Sequence, residues 1–110
     1  MYAVSRRYRF DVKHSEEIDA KVRDEFMPML RKLRGFFAYY WFDNGNGTAV
    51  SLTVFKHKAG ATASIQVASF WVKQHLAGLL GTPDAVEGEI KAYALADDAH
   101  SPPDQGTTTP

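Results

Sequence analysis

The chain has 110 residues, of which 45% are hydrophobic and 13% aromatic, and its thirteen basic and thirteen acidic side chains cancel. That length supports one core and leaves too little for a second domain. Setting aside Asp97, Asp98 and Asp104 leaves thirteen basic against ten acidic side chains, too weak a balance to imply a nucleic-acid partner. There is no cysteine, which removes disulfides, thiolate nucleophiles and zinc–thiolate sites.

The opening MYAVSRRYRF places arginines where a secretory signal has its apolar segment, so a cytoplasmic protein is expected. No apolar run approaches the roughly 18 to 20 residues that span a bilayer, and no membrane partner is expected. Tyr2, Val4, Arg6, Tyr8 and Phe10 alternate with Ala3, Ser5, Arg7 and Arg9. This period of two predicts a strand with one face apolar apart from Arg6.

His14-Ser15-Glu16-Glu17 reads as a helix start, with Ser15 able to accept from an orphan N–H and two carboxylates in the first turn. Ile18, Val22, Phe26, Leu30 and Leu33 then recur at helical steps until Gly35 ends the run. Pro28 has no N–H to give Asp24 and is expected to kink or split that helix.

Gly35 to Lys56 forms two β-rich runs joined by Asn44-Gly45-Asn46-Gly47, where several φ > 0 positions are available for a hairpin turn. A loop of two or four residues sets Trp41 beside Val50, Tyr39 beside Leu52 and Phe37 beside Val54 on one face. The other face then carries Phe36, Ala38, Tyr40 and Phe42 opposite Phe55, Thr53, Ser51 and Ala49. A three-residue loop would swap these partnerships.

A second helix is predicted with Ile65, Ala68, Val72, Leu76 and Leu79 on one side, and with Trp71 and His75, four apart, on a neighbouring stripe. Gly78, Gly81 and Pro83 mark its end, and Val86 to Tyr93 alternates as a last strand. Residues 1–96 thus form the domain. Residues 97–110 are a polar tail, with too little apolar surface to repay its ordering and expected to be disordered.

The order strand, helix, strand, strand, helix, strand is the α+β signature of the ferredoxin-like βαββαβ sandwich. Right-handed crossovers give a four-stranded antiparallel sheet in the order four, one, three, two, with both helices on one side. The other side would show Phe36, Tyr40, Phe42 and Phe55, and a patch of that kind marks an interface. A homodimer with its sheets face to face is expected, because a twofold contact needs only one self-complementary surface.

Leu33-Arg34-Gly35-Phe36-Phe37-Ala38-Tyr39-Tyr40 resembles the helix-to-strand passage of the antibiotic biosynthesis monooxygenase-like group of dimeric α/β barrels, with Arg34 where that group has proline. Val54-Phe55-Lys56-His57-Lys58-Ala59-Gly60-Ala61 is similar to its exit from strand three. The resemblance implies a dimeric α/β barrel, and among its activities cofactor-independent oxidation of polycyclic phenols or quinols. Haem-degrading members use an asparagine in strand one, which has no counterpart here, and Trp71 and His75 do not reproduce their tryptophan–histidine pattern.

The candidate pocket lies between helices and sheet, lined by Tyr8, Tyr39, Trp41 and Trp71, with His75 or Arg6 as a polar contribution. Aromatics at this spacing also serve as plain core. His75 is the candidate base, or Tyr39; a histidine near a helix C-terminus also serves as a cap or surface residue. No two histidines share a ligand spacing, so neither metal nor cofactor is expected. Two functions remain open: a monooxygenase-like enzyme or binder of a planar aromatic or quinone-like molecule, and a non-catalytic homodimerisation domain. A cavity of a few hundred Å³ would favour the first, and a filled interior around Trp41 and Trp71 the second.

Overall fold

In the computed structural model, which describes residues 1–97, alternation in Tyr2–Arg9 gives β1, the central strand that pairs with β3 (Thr48–Phe55) and β4 (Asp84–Glu89). Strand β2 (Phe36–Asp43) forms the edge, and the order β2-β3-β1-β4 is that of the ferredoxin-like sandwich. Both helical segments cover one face. The expected tail lies, from Asp98 onward, outside the described residues.

The first helical segment runs as α1 (Ser15–Lys21), a π-helical turn (Val22–Phe26) and α2 (Met27–Arg31). Pro28 is absorbed by this widening: the Met27 N–H reaches back five residues to the Val22 carbonyl, so the proline's missing donor falls where the ladder has already changed register. The helix is therefore interrupted by the π-helical turn and resumes as a second α segment that carries Pro28 in its first turn. Ile18, Val22, Phe26 and Leu30 are buried along it, as the periodicity predicts.

The hairpin departs from the even-numbered loop. The Asn44 N–H bonds the Thr48 carbonyl, leaving Gly45, Asn46 and Gly47 as a three-residue loop, with Gly45 and Gly47 at positive φ. Trp41 therefore pairs with Ser51, Tyr39 with Thr53, Tyr40 with Leu52 and Phe42 with Val50. A bulge at Phe37 then turns the start of β2 over, so that Phe36 opposes Phe55.

This corrects half of the expected interface. Phe55 is 0% exposed, packed edge-on against Phe36 at 5.7 Å between ring centroids in a cluster with Val4 and Ala61 beneath the helices. Tyr40 and Phe42 do lie on the open face, both 58% exposed. Phe37, expected beside Tyr39, is exposed as well.

Helix α3 (Lys58–His75) buries Ala61, Ser64, Ala68 and Trp71. The core stripe is thus rotated from the expected one, and Trp71 belongs to it. Small residues at these positions let the helix lie close to the sheet. Gly60 is the tightest point, since a Cβ there would meet the Phe55 ring at 2.7 Å and the Arg34 carbonyl at 3.1 Å. Among the described residues no helix is long and apolar enough to cross a membrane.

Candidate functional site

Four aromatic side chains expected to share a space do converge. From β1, Tyr8 meets Trp41 of β2 at 6.0 Å between centroids. Phe26, from the π-helical turn, touches Tyr39 at 5.6 Å and Trp71 at 4.9 Å. The Trp41 indole donates to Asp19 Oδ1 at 2.8 Å, which gives a half-buried N–H its partner and ties the edge strand to α1.

These walls nearly close. The void that Tyr8, Tyr39, Trp41 and Trp71 share has a volume of about 20 Å³, against the roughly 10–15 Å³ that one water needs. Its polar lining comes from Arg6, Ser51, Thr53 and Ser64. The space is a packed aromatic interior with a small polar pocket in it.

A larger opening lies on the other side of Arg6 and Tyr8. A cleft of about 420 Å³ runs between α3, the connector that follows it and the β1–β4 edge, and shares Arg6, Tyr8, Val72 and Leu80 with the inner void. Ser69 and Lys73 of α3 and Thr82 of the connector add polar groups to walls that are otherwise largely apolar. Sequence reasoning missed this cleft, because it depends on the path of the Leu76–Pro83 connector, which the Gly81 N–H ties to the Arg9 carbonyl of β1.

Arg6 joins the two spaces. It faces the helices in the central strand and is only 8% exposed, and its Nη2 donates to the Ile65 carbonyl at 3.1 Å. No carboxylate lies within ion-pair distance of it among the described residues. Burial pushes the Tyr8 phenol above its ordinary value, with Arg6 pulling the other way. The Tyr39 phenol is pushed up strongly, first by burial and then by Tyr8, with Ser51 and Arg6 opposing. A phenol held neutral in this way is poised to donate a hydrogen bond rather than to take a proton.

His75 lines neither space. Its ring stacks on Trp71 at 5.2 Å, its Nδ1 lies 3.6 Å from Glu25 Oε1 on the solvent side, and its carbonyl accepts from Lys21 at 3.0 Å. The structure thus places it at the end of α3 rather than at the cavity. Among the described residues no group of three His, Cys, Asp or Glu is arranged to hold a metal ion.

No family model matches the sequence, and no curated protein does. Solved structures do. NE2512, a protein of unknown function from Nitrosomonas europaea, superposes with a TM-score of 0.71 at 20% identity, over 86% of this chain and 93% of its own. The ActVA-Orf6 monooxygenase of Streptomyces coelicolor, solved with nanaomycin D, gives 0.70 at 13% identity over 87% and 92%. A provisionally assigned antibiotic biosynthesis monooxygenase from Deinococcus radiodurans gives 0.65 at 10% identity over 87% and 98%. With its helices on one face of a β2-β3-β1-β4 sheet, the chain has the α+β ferredoxin-like fold of the antibiotic biosynthesis monooxygenase-like proteins.

Proposed function

We propose that the chain is a homodimeric small-molecule protein that takes a planar aromatic or quinone-like compound into the cleft beside Arg6 and Tyr8. The observation that carries this reading is the cleft itself: at about 420 Å³ it falls within the roughly 300–1,000 Å³ of ligand sites, with apolar walls and a few polar groups. The Streptomyces neighbour is a monooxygenase that holds nanaomycin D, which supports the same use of the fold. In the oxidative form of the proposal, the reduced substrate reacts with dioxygen directly.

Dimerisation joins the open faces of two sheets. Tyr40 and Phe42 of β2 stand beside Leu52 and Val50 of β3, and Val86 of β4 is also exposed. A groove of about 720 Å³ between Phe37 and Tyr40 on one side and Tyr93 and Leu95 on the other crosses the same face. Contiguous apolar surface of this kind on a small chain supports a self-complementary contact.

A panel of quinones and polycyclic phenols, screened by tryptophan fluorescence together with thermal shift, tests the binding reading. At least one compound is expected to move both signals, and silence across the panel would count against it. The competing reading, a dimerisation domain without a ligand, is favoured by the inner void's being little larger than one water.

A further inference from the structure

Arg6 is buried with its hydrogen bonds made but with no carboxylate at ion-pair distance among the described residues. Burying a guanidinium costs several kcal/mol unless its charge is matched. Here its hydrogen-bond partners are neutral, the Ile65 carbonyl at 3.1 Å and the Tyr8 phenol. The titratable groups that line the cleft are Arg6, Tyr8 and Lys73, and no aspartate or glutamate from β1, α3, the connector or β4 is among its lining residues. Lys73 is exposed at the rim, on the helix that forms the cleft wall, and has no ion-pair partner among the described residues. The hydroxyls of Ser69 and Thr82 lie in the same walls.

From this asymmetry we infer that the cleft recognises an organic acid, an apolar body carrying one carboxylate, whose charge is held by Arg6 at the floor and by Lys73 at the rim. The inference rests on the reading of the cleft as a ligand site and adds the charge of the ligand. Physical complementarity favours it. A guanidinium offers a planar fork suited to a carboxylate, and an anion entering the cleft supplies the countercharge that the strand position denies Arg6. Ile65, Val72, Leu80 and Pro83 provide the apolar walls for the rest of the molecule.

The test is calorimetric titration of the full chain with 2-naphthoate and with its neutral counterpart 2-naphthamide, at fixed salt. Wild type is expected to prefer the acid by about tenfold or more, the range of a hydrogen bond to a charged group. Arg6→Gln should erase that preference. Should Arg6→Gln fail to fold by circular dichroism, Lys73→Glu at an exposed position takes its place. It should weaken naphthoate severalfold and leave naphthamide unchanged, with naphthoate-induced amide shifts centred on Ser69, Lys73 and Thr82. Equal binding of acid and amide by wild type would overturn the anion assignment while leaving the cleft as a site. An undiminished preference in Lys73→Glu, or naphthoate-induced shifts elsewhere, would overturn it too. If neither compound binds, this inference falls, and the quinone and phenol panel decides the small-molecule reading.

Discussion

Phe55 and Phe42 stand on opposite faces of one hairpin, and the two substitutions Phe55→Ala and Phe42→Asp separate core from interface. Phe55 is fully buried, so truncation removes a whole ring and leaves a hole: phenylalanine-to-alanine changes in cores cost about 3–5 kcal/mol. Its edge-on contact with Phe36 adds roughly 0.5–1.5 kcal/mol to what is lost. Against a typical stability of about 5–15 kcal/mol, that is a large fraction. Urea unfolding followed by far-UV circular dichroism, at several protein concentrations, is the assay. Phe55→Ala is expected to lower the midpoint at every concentration. Phe42→Asp should instead abolish the concentration dependence that a dimer imparts and sediment as a monomer of 12.3 kDa. A Phe55→Ala loss under about 1 kcal/mol would refute the burial reasoning, and a Phe42→Asp protein that still sediments as a dimer would refute the interface.

Gly60→Ala should destabilise by about 1–3 kcal/mol, because the new methyl meets a buried ring and a backbone carbonyl; a neutral result in urea would mean that α3 can lift from β3 freely. Asp19→Ala removes the acceptor of the Trp41 indole and is expected to cost about 1–2 kcal/mol and to shift the tryptophan emission; an unchanged spectrum would argue that water already replaces that bond. Tyr39 has its phenol raised above 10.0 by burial, so the folded chain holds that proton more tightly than the unfolded one. Its contribution is complete below about pH 10 and declines as pH rises beyond it. Wild type should lose urea resistance between roughly pH 10 and 12 more steeply than Tyr39→Phe, and equal slopes would contradict the assignment.

The element order was legible because it rests on repeated signals, period two in Tyr2–Arg9, helical steps from Ile18 to Leu30 and glycines at the turns, and the handedness of crossovers then gave the strand order and put the helices on one side. Register was not, because it depends on the parity of one loop. Asn44-Gly45-Asn46-Gly47 permits loops of two, three or four residues by composition, and the bond from Asn44 to Thr48 selects three. One residue of slip exchanges every cross-strand partner. The three-residue loop turns Phe55 inward with Ser51 and Thr53 and leaves Tyr40 and Phe42 outside, and the bulge at Phe37 adds a second inversion that carries Phe36 into the core. No local sequence feature marks that bulge, since Phe36 and Phe37 are chemically identical and either suits a buried or an edge position.

The site was legible to a different depth. Tyr8, Tyr39, Trp41 and Trp71 were expected together and line one void, because hydrophobic size alone drives such rings under the helices. What those rings do not provide is room, and the reactive group sought in His75 lies at the end of its helix, facing solvent beside Glu25. Arg6 carried the stronger signal. In an otherwise apolar alternation of Tyr2, Val4, Tyr8 and Phe10, a single arginine in phase is a cation turned inward by the strand's own period, and it meets water only through the cleft beside it. Histidine drew attention for its chemistry, but the phase of Arg6 in β1 determines where charge is held in this fold. The cleft that opens beside it is therefore where an anion gains most.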